Sequence, residues 1–404
     1  MRIHVRTLAI IALTSGALAL AACDVTNPGP IPDEELNVPE AVPGLVTGMS
    51  SDLSVALGPL QEISGIVGDD MAHGGSYTAE GLWWRGIIRA EDINGNWARM
   101  HRARWVAEQG IERMKNEIQG YTYGKDTYSA RANLYAGFAN RMLGEHMCQA
   151  VFDGGPAEDF KNHFSRAEAY FSEALTVATA INNTSLKQAA YAGRAQVRAA
   201  LGRWTEAAAD AAQVPTTFSF IASFSTNSTR ENNSFVSETW VRREYTVYLT
   251  KWAQVFGDPR VQWDTVKTSS GAIQKGQDGK TNYFRQRKFI DLGSDVALAK
   301  GQEMRLIEAE ALLRAGDIPG AWVKVNLARA SYGMSPSAIP GNATQAWPVF
   351  QFERAATLWN ETRRFYDLRR FQNEPPPLKI SYLDGRDSCF PVSQEEKDAN
   401  PNID

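Results

Sequence analysis

Apolar residues recur at helix spacing along much of the chain. Trp97 to Met114 carries them at Met100, Ala103, Val106, Ala107, Ile111 and Met114, which turns one face of an α-helix toward a core. Ser129 to Cys148 repeats the pattern through Leu134, Phe138, Met142 and Leu143, and Ser165 opens another run through Ala167, Tyr170, Phe171, Ala174, Leu175 and Ala178. An alanine-rich stretch from Leu186 to Leu201 leads through Gly202 into Trp204-Thr205-Glu206-Ala207-Ala208. Met304 to Leu313 and Ala321 to Ala330 read as two further helices, separated by Ala315-Gly316-Asp317. Asp317 is placed to cap the second of them, accepting from amides that lack a partner in the first turn. Between Val214 and Lys300 the texture changes to Phe, Ser, Thr, Asn and Gly, with short strands predicted at Tyr283-Phe284 and Lys288-Phe289-Ile290. Residues 372–404 are again irregular.

Two of the helical hairpins share a register: Leu201-Gly202-Arg203-Trp204 leads to Ala207 as Ala315-Gly316-Asp317-Ile318 leads to Ala321. Both resemble tetratricopeptide units, whose period is about 34 residues. The predicted fold is therefore mainly α: about four such hairpins, near 97–148, 129–182, 185–214 and 300–331, with long loop-rich insertions and few short strands. The largest insertion spans 215–299, and loops on a rigid frame are where binding residues concentrate.

The N-terminus has a different design. Arg2 and Arg6 precede an apolar stretch of 13 residues, Leu8 to Leu20, broken only by Thr14, Ser15 and Gly16. That order is the one of a secretion signal, and the stretch is well short of the ~20 residues needed to span a bilayer. Leu20-Ala21-Ala22-Cys23 closes it and resembles the lipobox of bacterial lipoproteins. The resemblance implies cleavage of residues 1–22 and acylation of Cys23. Residues 23–43 then form a Pro-rich, acidic tether (Pro28, Pro30, Pro32, Pro39, Pro43, Asp33-Glu34-Glu35), leaving 44–404 as one domain. After residue 23 no apolar run is long enough to cross a membrane.

Composition narrows the partners. A net charge of −4 argues against nucleic acid, which selects a basic face, and gives no support to a polybasic hold on anionic lipid. Once Cys23 is acylated only Cys148 and Cys389 remain. An exported protein permits a disulfide, but cysteine is also among the most buried residue types, and no bridge is expected. His73, His101, His146 and His163 show no zinc-ligand spacing with the cysteines, so neither a metal nor another cofactor is indicated.

Three C-terminal stretches carry a family resemblance. The first is Glu303-Met304-Arg305-Leu306-Ile307-Glu308-Ala309-Glu310-Ala311, with Gly316-Asp317 and Asn326-Leu327-Ala328-Arg329. The second is Phe352-Glu353-Arg354, then Leu358, Glu361 and Arg363-Arg364-Phe365-Tyr366-Asp367-Leu368-Arg369-Arg370. The third is Phe390-Pro391-Val392-Ser393-Gln394-Glu395, running to Asn400-Pro401-Asn402-Ile403. Their order and spacing, with the lipobox upstream, are similar to the SusD/RagB family of outer-membrane nutrient-binding lipoproteins, with 350–404 as the C-terminal family segment. A weaker similarity runs through Asp69-Asp70 and Trp97 to Ile111-Glu112, where the family's asparagine before its Ile-Glu pair is replaced by Ala107-Glu108-Gln109-Gly110. The resemblance implies a non-catalytic, lipid-anchored cap on a TonB-dependent (SusC-like) outer-membrane barrel, capturing an oligosaccharide or other nutrient. A lipid-anchored hydrolase and a structural tetratricopeptide scaffold are the alternatives.

Candidate chemistry is sparse. Asp69-Asp70 with His73 lacks further ligands and reads as a solvated or capping turn. Gly276-Gln277-Asp278-Gly279-Lys280-Thr281 ends like a phosphate loop, but Gln274 stands where the earlier glycine is required. Arg363 to Arg370 reads as a structural helix, with Phe365 and Leu368 inward and arginines paired to acids. Tyr77-Thr78-Ala79-Glu80-Gly81-Leu82-Trp83-Trp84-Arg85 shows neither helical nor strand period and precedes Asn94-Gly95-Asn96-Trp97. Consecutive tryptophans in an extended segment point opposite ways, so one anchors the loop and the other is exposed. Sugars stack their C–H faces on indole while Asn and Arg bond hydroxyls. Trp83, Trp84, Tyr77, Trp97, Asn96 and Arg85 are thus the expected ligand site.

Overall fold

The computed structural model describes residues 33–403. Cys23, the expected signal segment and the first part of the expected tether lie outside the described residues. Asp33–Leu36 and Pro39–Ala41, in the stretch expected to be a tether, form 3-10 turns.

The first helix, α1 (Val42–Val67), is one that periodicity does not predict. It contains Pro59, and from Asp52 onward almost every side chain is buried, Gln61 and Ser64 included. A helix enclosed on all sides has no polar face to mark a period. The rest follow as α2 (Thr78–Trp84), α3 (Asn94–Asn116), α4 (Thr127–His146), α5 (Lys161–Ala180), α6 (Thr184–Ala200) and α7 (Trp204–Ala211). After the insertion come α8 (Gly301–Arg314), α9 (Ile318–Ala330), α10 (Ala343–Thr357), α11 (Arg364–Gln372) and α12 (Gln394–Ala399).

The helical hairpins stand where the periodicity puts them. Gly202 and Gly316 turn the chain between α6 and α7 and between α8 and α9 with φ of 77° and 83°, a region that costs a side-chain-bearing residue. Asp317 caps α9, its carboxylate accepting from Gly320 N at 2.9 Å. Small residues let α4, α5 and α6 close together. A Cβ at Gly137 or Gly193 would lie 2.7 or 2.3 Å from the Phe171 ring, and one at Gly144 would lie 2.7 Å from Phe164. Glycine at these places lets two phenylalanines of α5 fill the seam.

Strands are short and pair in twos, all antiparallel: β1 (Ala72–His73) with β5 (Tyr245–Thr246), β2 (Gln149–Ala150) with β3 (Glu158–Asp159), β4 (Ser219–Ala222) with β8 (Val296–Lys300), and β6 (Trp263–Thr265) with β7 (Phe284–Gln286). The β4–β8 ladder fastens the two ends of the insertion together, with Ser219 opposite Lys300. The expected strand at Lys288–Ile290 does not form. The Gln286 side-chain oxygen accepts from the amides of Lys288 and Phe289, both at 3.0 Å, and turns the chain there.

The expectation that the two cysteines stay apart is corrected: Cys148 and Cys389 are bonded across 241 residues. Backbone pairing prepares the bond. Phe390 N donates to His146 O at 2.7 Å and Cys148 N donates to Phe390 O at 2.8 Å, laying the C-terminal tail beside the end of α4.

The arginine-rich segment is the structural helix that its spacing predicts, buried deeper than that reading requires. Phe365 and Leu368 are fully enclosed. Arg363 pairs with Glu145 at 3.0 Å and Glu303 at 3.1 Å, and Arg370 with Asp367 at 2.8 Å. Arg354 of α10 reaches Asp367 at 2.8 Å and Glu303 at 3.3 Å. One buried charge lattice thus joins α4, α8, α10 and α11.

Candidate functional site: an aromatic face on the insertion

The predicted ligand residues do not assemble into one exposed platform. Thr78–Trp84 is a helix, not an extended loop; seven residues are too few for a period to show in the sequence. Neighbours on a helix point roughly 100° apart, so Trp83 goes inward at 7% exposure while Trp84 sits half-buried on the flank. Trp97 is 5% exposed and stacks on His101 at 4.1 Å, and Asn96 is buried too. Tyr77 and Arg85 are at the surface. Tyr77 carries the Arg242 guanidinium over its ring at 4.9 Å, and Arg85 Nε donates to Gly81 O at 3.1 Å.

An aromatic row does exist, on the β6–β7 hairpin and the loop before it. Trp263 stacks on Phe284 with centroids 4.9 Å apart and planes 9° apart. Tyr248 meets the edge of Phe284 at 4.9 Å, and Phe256 leans on Trp263 at 5.3 Å. Phe256 is 74% exposed, the most open large apolar side chain described, and Tyr248 is 37% exposed. The Trp263 indole N–H donates to Trp252 O at 3.0 Å, which fixes the ring's orientation and leaves its polar edge satisfied. A cavity of about 460 Å³ opens beside this row, lined by Phe256, Asp258, Gln262 and Trp263 among others.

Charged groups occupy the opposite face of the β6–β7 ladder, because side chains alternate along a strand. Asp264, paired across the ladder with Arg285, holds the Arg285 and Arg287 guanidiniums at 2.8 and 3.0 Å. Arg285 lies over the Trp240 ring at 4.1 Å. The row itself offers stacking surface, and Asp258 and Gln262 in the adjoining cavity supply polar groups beside it, the pairing that a polyhydroxylated ligand requires. One sequence signal marks it: Phe256-Gly257-Asp258-Pro259 and Gln262-Trp263-Asp264 set aromatics among polar and turn residues inside the insertion. What the sequence does not show is that Tyr248, Phe256, Trp263 and Phe284 meet.

Asp69 and Asp70, expected in a solvated or capping turn, are enclosed. Arg364 clamps Asp69 with bonds of 2.8 and 2.9 Å and Lys251 adds one of 3.0 Å. Asp70, 1% exposed, accepts from Asn360 N at 3.0 Å. Burial first, and then the Asp69 charge, push the Asp70 carboxyl up to about 7, against the pull of Arg364. A carboxyl raised in the fold contributes stability at low pH that is lost as pH rises through about 7. Asp70→Asn, which mimics the neutral acid, is expected to melt higher than wild type above neutrality, by a margin that shrinks as pH falls below about 7 and closes only near pH ~4. Thermal melts across this range check it; a margin independent of pH defeats the assignment. Close by, His73, which has no part in that pair, brings a donor atom to Glu80 and Glu244.

The structure is similar to solved proteins over nearly its whole length. A SusD homologue from Bacteroides thetaiotaomicron matches with a TM-score of 0.70 at 14% identity, covering 91% of this chain and 97% of its own. A SusD-like carbohydrate-binding protein from Bacteroides vulgatus matches at 0.68 and 14%, covering 90% and 97%. A laminarin-binding SusD-like protein matches at 0.61 and 13%, covering 90% and 98%. At these identities the likeness is one of fold. No curated protein matches the sequence. The SusD family model matches residues 108–402, a span that takes in the hairpins from α4 onward, the insertion, the charge lattice and the bridged tail, and the chain belongs to the SusD family.

Proposed function

We propose that this protein is a non-catalytic glycan-binding lipoprotein of the outer membrane that captures an oligosaccharide and hands it to a TonB-dependent barrel. The observation that carries the reading is the aromatic row Tyr248–Phe284–Trp263–Phe256, held open on the insertion of a SusD-family scaffold. Two fold relatives named as carbohydrate-binding and laminarin-binding support a sugar ligand. The lipobox at Cys23 supports anchoring by lipid, and no helix among the described residues is long and apolar enough to cross a membrane. A disulfide fits an oxidising compartment outside the cytosol. Tyr77, beneath Arg242, is proposed as an outlying contact of the same ligand, in place of the buried Trp83 and Trp97.

Binding is expected to be weak, since a few stacked rings must offset the immobilisation of a flexible chain. Titration with a glycan panel that includes laminarin oligosaccharides tests the site. Phe256→Ala and Trp263→Ala are each expected to lower affinity by roughly 1–3 kcal/mol, on the scale of base stacking on aromatics. Trp105→Ala, on the exposed side of α3, is the control and should change nothing. Unchanged affinity in both row variants would remove the site from consideration.

A further inference from the structure

The β1–β5 ladder sets His73 opposite Tyr245, and Gly74 N donates to Glu244 O at 2.8 Å. Helix α2 then folds back over this pair. Its Gly81 brings the backbone so near that a Cβ there would lie 3.5 Å from His73 Cε1. Glu80, the preceding residue, therefore stands beside the imidazole. A ring nitrogen of His73 and one carboxylate oxygen each from Glu80 and Glu244 lie within 4.8 Å of one another.

Two features point to a ligand rather than a chance cluster. Glu80 is 9% exposed and Glu244 fully buried, yet His73 Nε2 is an enclosed atom with no hydrogen-bond partner among the described residues, and Glu80 has only the buried Tyr245 hydroxyl beside it. Buried polar atoms in native proteins are nearly always satisfied, so the enclosed imidazole nitrogen beside two carboxylates calls for a partner. The local charge also needs balancing. Glu238 adds a third carboxylate, and the cation bonded to this group is Arg242, at 3.1 Å from Glu238 and 3.4 Å from Glu244. Glu244 accepts from Ser76 N at 2.7 Å and keeps lone pairs for a further bond. Gly75 makes room for that carboxylate, since a Cβ there would lie 1.9 Å from Glu244 Oε2.

We propose that His73, Glu80 and Glu244 bind one divalent transition-metal ion of zinc-like preference, which clamps α2 onto the β1–β5 ladder at the edge of the insertion. One imidazole and two carboxylates are a mixed nitrogen–oxygen set. Zinc accepts such a set, whereas calcium and magnesium favour oxygen alone. The site is independent of the sugar-binding reading. No spacing rule finds it, because Glu244 comes from the far side of the chain.

The test uses the untagged, EDTA-treated chain, titrated calorimetrically with ZnCl₂ and, separately, CaCl₂, with bound metal counted by elemental analysis after dialysis. About one equivalent of zinc and a raised melting temperature are expected, because an ion that binds only the folded state stabilises it. His73→Ala and Glu80→Gln should each weaken zinc binding at least about tenfold, a loss that even outer-shell changes reach at metal sites. Circular dichroism matching wild type keeps a folding defect from imitating that loss. The proposal is overturned if the wild type retains no zinc, if both folded variants bind it as wild type does, or if calcium binds and zinc does not.

Discussion

Replacing Arg363 with methionine should destabilise the protein by about 3–5 kcal/mol, the range seen when one partner of a buried ion pair is removed. Arg363 faces two carboxylates, Glu145 and Glu303, which are 1% and 2% exposed. Burial alone would raise the Glu303 carboxyl, but Arg363, Arg354 and Arg141 outweigh it and hold Glu303 below the usual carboxylate range. Removing Arg363 strips away the largest of those opposing charges and leaves Glu145 with the looser contact to Arg141 at 3.6 Å. Urea unfolding of the two proteins measures the difference, and a loss below about 1 kcal/mol would mean that water reaches the lattice. Acid acts on the same lattice from the other side. Asp367 is held down to about 2, against its burial, by Arg354 and Arg370. Its contribution is present at neutral pH and is lost as pH falls from about 4 toward 2.

The double variant Cys148→Ser, Cys389→Ser should lose about 2–4 kcal/mol. The bond closes a loop of 241 residues, and long loops confine the unfolded chain most in the chain-entropy account. The variant should still fold. Phe390 is fully buried and stacks on Phe365 at 5.6 Å, and its N donates to His146 O at 2.7 Å, so the tail keeps its seat without the sulfur bond. Unfolding with and without a reductant gives the same comparison on the wild-type chain. Identical midpoints would show that the cysteines do not pair in solution.

What the sequence makes legible is local. The helices from α3 to α9 announce themselves by period, and Gly202, Gly316 and Asp317 by the turn and cap chemistry that they alone satisfy. The arginine-rich segment is legible as a helix because Phe365 and Leu368 sit at compatible positions. Its depth is not, since Glu145 and Glu303 reach it from helices far away in sequence. The same reason hides α1, whose apolar residues face every direction, and the Cys148–Cys389 bond. At the candidate site, amphipathic surroundings point equally to Trp83-Trp84 and to Phe256 and Trp263. Only packing decides that the first pair is largely enclosed and the second row open.

The bridge also changes what a protease can do to this chain. Residues 149–388 lie between its two ends, and they include the whole insertion with its exposed Phe256 and Tyr248. A single cut anywhere in that span yields two chains that remain one covalent body. Cleavage in this exposed face therefore sheds nothing until the sulfur bond is reduced.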